Sequence, residues 1–302
     1  MRKKDCKEGV LLGNIIFPSI LNMRKIDCNE ITKAVKNACM EANYYIPEDV
    51  RLVLEKRYGE ETWPMAENIL ERIKENIEIA RKEKMPLCQD TGMVSVFVEI
   101  GQDVHIVNGN LEEAINEGVR QGYMEGYLRK SVVKDPLNRT NTNDNTPAVI
   151  NYRIVPGDSF KMIIAPKGFG SENMIRLKML RPADGVQGVK DFVIKAVEEA
   201  GANPCPPIVV GAGIGGTFDK VASLAKKALL RPLSERNEDE FYRRLEDELL
   251  QEINQLGIGP QGFGGKTTAL AVNIETFPTH IAGLPVAVNI NCHVARYKEV
   301  EL

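Results

Sequence analysis

GIGPQGFGGKTT, residues 257–268, ends on the Gly-Lys-Thr of a phosphate-binding P-loop, and its reading decides which fold the chain can have. A P-loop is GxxxxGK followed by Ser or Thr, with a buried strand before it and a helix after it, so that freed backbone N–H groups surround phosphate. Counting back from Gly265-Lys266-Thr267 puts Pro260 where the first glycine belongs, and proline has no N–H to give. The flanks are inverted as well. Upstream, NEDEFYRRLEDELLQEINQLG is an amphipathic helix closed by Gly257, and downstream TALAVNIE alternates as a strand does. The P-loop reading fails, and a helix–loop–strand unit replaces it.

Two other glycine-rich loops lie upstream. IVVGAGIGGTFDKVASLAKKA places Gly211, Gly213 and Gly216 in a GxGxxG spacing after an apolar run and before a helix, the local context of dinucleotide binding. The second strand with an acidic end that should follow is absent, since residues 231–240 read RPLSERNEDE. An NAD-linked oxidoreductase using Gly211–Gly216 is therefore the remoter alternative, beside a plain strand-to-helix turn. APKGFGSENM sets Lys167, Gly168 and Gly170 after a strand. Three such loops suggest backbone N–H groups converging on an anion.

Around these loops the pattern is α+β. ITKAVKNACMEANYY, PEDVRLVLEKRYG and AENILERIKENIEIARKEK carry helical periodicity, the last with Ile69, Leu70, Ile73, Ile77 and Ala80 on one face. After Pro86, MVSVFVEIG and VHIV read as strands and residues 111–130 as a helix. AVINYRIV and SFKMIIAP are strands joined by the turn Pro156-Gly157-Asp158, a helix covers about 187–200, and TALAVNIE and LPVAVNINC look like paired strands. The expectation is one composite domain over 1–302: a mainly helical portion, 1–85, packed on a mixed sheet with helices, the α/β portion 86–302.

Composition narrows the class. The 302 residues are 43% hydrophobic and 27% charged, with net charge −3, a globular balance without the basic excess of a nucleic-acid binder. No apolar run reaches the roughly 18 residues that span a bilayer. The start, MRKKDCKEGVLLGNIIFPSI, has a basic-then-apolar order like a signal peptide, but Asp5, Glu8 and Asn14 interrupt it. A cytoplasmic protein without nucleic-acid or membrane partners is expected.

Six cysteines, none in a CxxC pair, are too few for a disulfide scaffold. Cys39 falls in a helical pattern and reads as core. Cys88 in MPLCQDTG, Cys205 in NPCPP and Cys292 in NINCHVAR instead sit at element boundaries. Their separations of 117 and 87 residues fit neither zinc-ribbon nor ferredoxin spacing, and unrelated thiols satisfy them equally. Their neighbours, Gln89-Asp90 and His293, suit a site better than a core. Three cysteines on a four-iron cluster would leave one iron open to act as a Lewis acid on a hydroxy acid. A fourth ligand from Cys6, Cys28 or Cys39 would make a closed redox or scaffold centre instead.

LCQDTG, NTPA, KGFGSEN, GIGGTFDK, GIGPQGFGGKTT and VNINCHVAR, in that order, resemble the alpha subunit of class I iron–sulfur fumarate hydratases and L-tartrate dehydratases, from about residue 20 onward. The resemblance implies a 4Fe-4S cluster on Cys88, Cys205 and Cys292, with one iron lacking a protein ligand. It implies a lyase that hydrates fumarate reversibly to L-malate, or dehydrates tartrate. Gln89, Arg129, Gly168 and Gly170 match substrate-binding positions, while Asp90 and His280 match positions near the chemistry. Long family members continue into a C-terminal domain, whereas this chain ends at Leu302. A separate beta subunit is therefore expected, with homodimerisation inside the complex.

Overall fold

The computed structural model describes residues 23–302. Cys6 and the basic-then-apolar start lie outside the described residues. A short strand, β1 (Arg24–Asp27), leads into α1 (Cys28–Tyr44), where Asp27 Oδ1 caps the helix by accepting from Asn29 N at 2.7 Å. α1 buries Ile31, Val35, Ala38 and Ala42, the face its periodicity gives. α2 (Glu48–Glu60) starts after Pro47, and α3 (Pro64–Glu83) has its proline at the first turn, where no N–H is needed. Next come β2 (Met93–Gly101), β3 (Val104–Val107), α4 (Leu111–Glu125), β4 (Val149–Val155), β5 (Phe160–Lys167) and the one-turn α5 (Phe169–Glu172). β6 (Arg176–Leu180), α6 (Gly185–Ala200), β7 (Ile208–Gly215), α7 (Phe218–Ala228) and α8 (Glu240–Gln255) follow. β8 (Ala269–Phe277), β9 (Leu284–Asn291) and β10 (Lys298–Glu301) close the chain.

The class is α+β, but the strands form two mixed sheets, β10-β5-β2-β4 and β6-β9-β7-β8, with β1 beside β3 as a small ladder. Two pairings suggested by chain adjacency do not form. β4 and β5, though joined at Pro156-Gly157-Asp158, flank β2; β8 and β9 likewise flank β7. The apolar runs of β2 and β7 explain this, since a strand buried along its length needs a neighbour on each side. The helix expected over 111–130 stops at Glu125, where Gly126 and Tyr127 (φ 51°) turn the chain out. Arg129 is consequently a loop residue and not a helical one.

α1 and α4 cover the first sheet around Tyr123, Phe160 and Met162, while α6 and α8 cover the second around Val193, Leu249 and Ile290. A third core joins α2 and α3 to β7 and β8 and includes Leu87 and Val294. Because these two flank Cys88 and follow Cys292, the helical portion fixes the loops that carry those cysteines. A Cβ on Gly211 or Gly213 would lie 2.3 Å from the Ala225 or Val221 carbonyl of α7. The first two GxGxxG glycines thus sit inside β7 and allow helix-on-strand contact, while Gly216 lies just beyond the strand. No helix among the described residues is long and apolar enough to cross a membrane.

Candidate functional site

One end of each large sheet meets the other, and the cysteine loops leave from that junction. Met93 at the start of β2 pairs with Lys167 at the end of β5, and Val209 near the start of β7 pairs with Asn291 at the end of β9. Cys88 precedes β2, Cys205 precedes β7, and Cys292 directly follows β9.

The Cys88 loop is pinned on both sides. Leu87 N donates to Asn43 O at 2.8 Å, and Asn76 Nδ2 donates to Leu87 O at 2.9 Å. Beyond it, Tyr123 Oη donates to Thr91 O at 2.6 Å, and Thr91 Oγ1 donates to Arg129 O at 3.0 Å. Asn145, fully buried within NTPA, completes the clamp: Nδ2 donates to Gly92 O at 3.1 Å and Oδ1 accepts from Ser131 N at 2.7 Å. The exposed Arg129 side chain is thereby held next to the LCQDTG loop through its backbone. Cys88 Sγ donates to Gln89 Oε1 at 3.2 Å. Asp90 Oδ1 accepts from Gly92 N at 3.1 Å and Oδ2 from Phe169 N at 2.9 Å, which orients the carboxylate.

The Phe169 amide comes from KGFGSEN, whose approach is close. A Cβ on Gly168 would stand 2.9 Å from Asp90 Oδ2, and one on Gly92 (φ +80°) 2.6 Å from the Lys167 backbone. Lys167 itself is buried. Its Nζ donates to Ile290 O (2.7 Å) and Ser171 Oγ (3.1 Å) and pairs with Glu172 at 3.0 Å; Glu172 also pairs with Lys226 at 2.8 Å. Burial pushes the Lys167 ammonium down against the upward pull of Glu172.

Cys205 holds a left-handed backbone (φ 54°), a strained state for a residue with a Cβ. Its carbonyl accepts from His293 Nδ1 at 3.0 Å, which places that ring proton on Nδ1, and burial pushes the imidazole pKa down. Gln261 extends the latch: its N and Nε2 each donate to Pro206 O at 2.8 Å. The opening stretch therefore braces Cys205. Its amides are used internally, Gly259 N on Thr268 Oγ1 (3.1 Å) and Lys266 N on Glu61 Oε2 (2.8 Å). The GIGG turn lies at the other end of β7, so the expected convergence of three glycine loops on one anion is not formed.

The three thiols are within electrostatic reach of one another. Burial pushes the Cys205 thiol up, and Cys88 adds to it; burial likewise raises Cys292, with Cys88 and Cys205 adding and Arg296 and the Val294 amide opposing. Arg296 is buried, bonds Asp90 O through Nη2 and Pro166 O through Nε at 3.2 Å, and leaves Nη1 buried without a partner. Among the described residues no three His, Cys, Asp or Glu side chains are gathered as around a single ion, whose sulfur ligands would lie about 4 Å apart. Three thiols from three loops, beside a cation with an unsatisfied N–H, fit a larger anionic iron–sulfur group. Cys28 and Cys39 are buried in the core of the first sheet, away from this junction.

The structure thus brings Cys88, Gln89, Asp90, Arg129, Gly168, Gly170, Cys205 and Cys292 to one junction. It does not bring His280 there. That exposed residue lies in the turn between β8 and β9, and the eight residues of β9 separate it from Cys292 by about 25 Å. In their motifs Asn145 and Arg296 show no sign of a role, and Lys167 reads only as a cation in a glycine loop. A lysine or arginine beside glycine or cysteine reads as a solvated charge until the fold shows it buried.

The chain is similar to known proteins along most of its length. The family model described as Fumarate hydratase (Fumerase) matches residues 32–301. A Methanocaldococcus jannaschii protein named "Putative L(+)-tartrate dehydratase subunit alpha" is 45% identical over 273 residues, covering 88% of this chain and 95% of that one. The L(+)-tartrate dehydratase subunit alpha of Escherichia coli strain UTI89 is 32% identical over 272 residues, 89% of each chain, and that of strain K12 is 31% identical over the same span. With nearly its whole length matched, the chain belongs to the class I fumarate hydratase and L-tartrate dehydratase alpha-subunit family.

Proposed function

We propose that this chain is the alpha subunit of a two-subunit hydro-lyase of the cytoplasm that adds water reversibly to fumarate to give L-malate. The observation that carries the reading is the meeting of three cysteine loops beside Asp90 and Arg296. Cys88, Cys205 and Cys292 would hold a 4Fe-4S cluster, which when bound supplies a Lewis-acidic iron for the substrate hydroxyl and a carboxylate. Arg296 balances the negative charge of the thiolates. Asp90, aimed by the Gly92 and Phe169 amides, exchanges a proton at the substrate carbon adjacent to the one that gains or loses the hydroxyl. Arg129 and the Gly168 and Gly170 amides at the start of α5 bind the substrate's carboxylates, and Gln89 orients the site from beside Cys88.

His280 can serve this site only if a second copy supplies it. The beta subunit contributes the remaining substrate contacts. The names of the relatives favour a second substrate reading, dehydration of L-tartrate. The test is anaerobic loading with iron and sulfide, alone and with the partner subunit, followed by assay with fumarate, L-malate and L-tartrate. Turnover of malate and fumarate supports the first reading and turnover of tartrate alone the second. A loaded complex that dehydrates neither, or full activity from the isolated chain, defeats the proposal.

A further inference from the structure

Two residues beside the cysteine junction carry backbone strain, and they are held by one set of hydrogen bonds. Cys205 and Gln261, both at φ 54°, take the left-handed conformation without being glycine. Cys205 is doubly out of character there. Its Cβ disfavours that region, and a residue followed by proline, here Pro206, favours extended backbone. Such a state persists only where its surroundings over-determine it, and residues of this kind cluster at functional sites.

The surroundings are two side chains acting on two successive carbonyls. Cys205 O accepts from His293 Nδ1 at 3.0 Å and from His293 N at 3.4 Å. Pro206 O accepts from Gln261 N and from Gln261 Nε2, each at 2.8 Å. The same Gln261 amide nitrogen lies 3.2 Å from His293 Nδ1, so the two side chains support each other. Gly262 lets the loop come this close, since a Cβ there would stand 2.3 Å from the Ala202 Cβ. Ala202 opens the turn that Cys205 closes, with Cys205 N donating to Ala202 O at 3.0 Å. If the turn alone mattered, glycine at 205 would form it without strain. The strain is kept at a residue whose thiol feels the charge of Cys88. His293 holds it from the position next to Cys292, so one residue sets the spacing of two of the three thiol loops.

We propose that His293 is a positioning residue of the thiol site: its ring N–H, backed by Gln261, holds Cys205 in the left-handed state that keeps its thiol with those of Cys88 and Cys292. The proposal rests on the iron–sulfur reading of the three cysteines and gives GIGPQGFGGKTT a part in it.

The metal-free chain tests the hold itself. Glycine is the better residue at a left-handed position, so Cys205→Gly should melt about 2–4 °C above Cys205→Ala. Adding His293→Phe to both should close that gap, because residue 205 is then free to leave the left-handed region. Iron tests the consequence. After identical anaerobic loading, His293→Phe and Gln261→Leu should release iron to a chelator about 10-fold faster than the parent. His293→Asn should restore parental release, because an asparagine Nδ2 can donate from where the imidazole Nδ1 stood. His293→Gln reaches instead to the Nε2 position and should not. That comparison stands even where His293→Phe fails to fold. Equal melting of Cys205→Gly and Cys205→Ala, a gap that His293→Phe leaves unchanged, or equal iron release from His293→Asn and His293→Gln overturns the proposal. A parent that takes up no iron, with the melting gap present and closed by His293→Phe, overturns the cluster reading and supports the hold on Cys205.

Discussion

Lys167 Nζ lies 2.7 Å from the carbonyl oxygen of Ile290, two residues ahead of Cys292, and this bond ties the end of β5 to the end of β9. The same ammonium is only 8% exposed and leans on Glu172, which Lys226 also holds. Lys167→Met keeps the stem, removes the charge, and strands the Ile290 carbonyl with Glu172 supported by Lys226 alone. The expected loss is about 2–4 kcal/mol in urea unfolding at unchanged m-value. A change below about 0.5 kcal/mol would mean the tie contributes nothing.

A pair of glycines separates backbone strain from steric conflict. Gly92 and Gly157 have nearly equal torsions, φ +80° and +83°, but a Cβ meets the Lys167 backbone at 2.6 Å at the first and nothing within 4 Å at the second. Gly157→Ala should cost only the left-handed penalty, about 1–2 kcal/mol. Gly92→Ala adds a clash between the LCQDTG and KGFGSEN loops and should lose at least about 2 kcal/mol more. Equal melting temperatures for the two variants would contradict the close approach.

The helices were legible in the sequence because their evidence is local. Leu70, Ile73, Ile77 and Ala80 recur on one face of α3, and all are buried. Strand existence was legible too, but strand order was not, because adjacency in the chain says nothing about β2 inserting between β4 and β5. The cysteine loops were legible through their polar neighbours and the resemblance. What joins them was not. Arg296, Lys167 and Asn145 gain their roles only when segments far apart in the chain meet, and a charge or amide in the sequence carries no sign of its burial. His280 shows the converse limit, since a motif match placed it by pattern and the single-chain fold sets it at the far end of β9.

The NTPA clamp carries its own acid sensitivity. Asp144 precedes Asn145. Burial raises its pKa, but bonds from Thr146 N (3.0 Å), Thr146 Oγ1 (2.8 Å) and Arg120 Nε (3.1 Å) outweigh that and lower it to about 2. A carboxylate with a depressed folded-state pKa contributes stability above its unfolded value, near 4, and loses it as pH falls through the folded value. Because the side chain is 26% exposed, the contribution is discounted to about 1–2 kcal/mol. Asp144→Asn should lose that amount at neutral pH and show a shallower decline in stability between about pH 4 and pH 2. Parallel pH–stability curves for variant and parent would refute the assignment.

Arg296 connects the cysteine site to the Asp90 loop, and its buried, unpartnered Nη1 is the observation that asks for an anion. If thiolates and an iron–sulfur group occupy the junction, Arg296→Met should still fold, because its carbonyl partners belong to loops that Lys167 and Asn145 also hold. It should, however, release iron to a chelator about 10–100-fold faster than the parent after identical anaerobic loading, the range typical of a residue that supports metal ligands. Arg296→Lys keeps the charge without the planar fork and should fall between the two. Cys88→Ser, Cys205→Ser and Cys292→Ser should each fail to retain the full iron content, whereas Cys39→Ser, in the core of the first sheet, should load as the parent does. Iron release from Arg296→Met at the parental rate, with loading intact, would show that the guanidinium serves the loops alone and that its free N–H faces no anion.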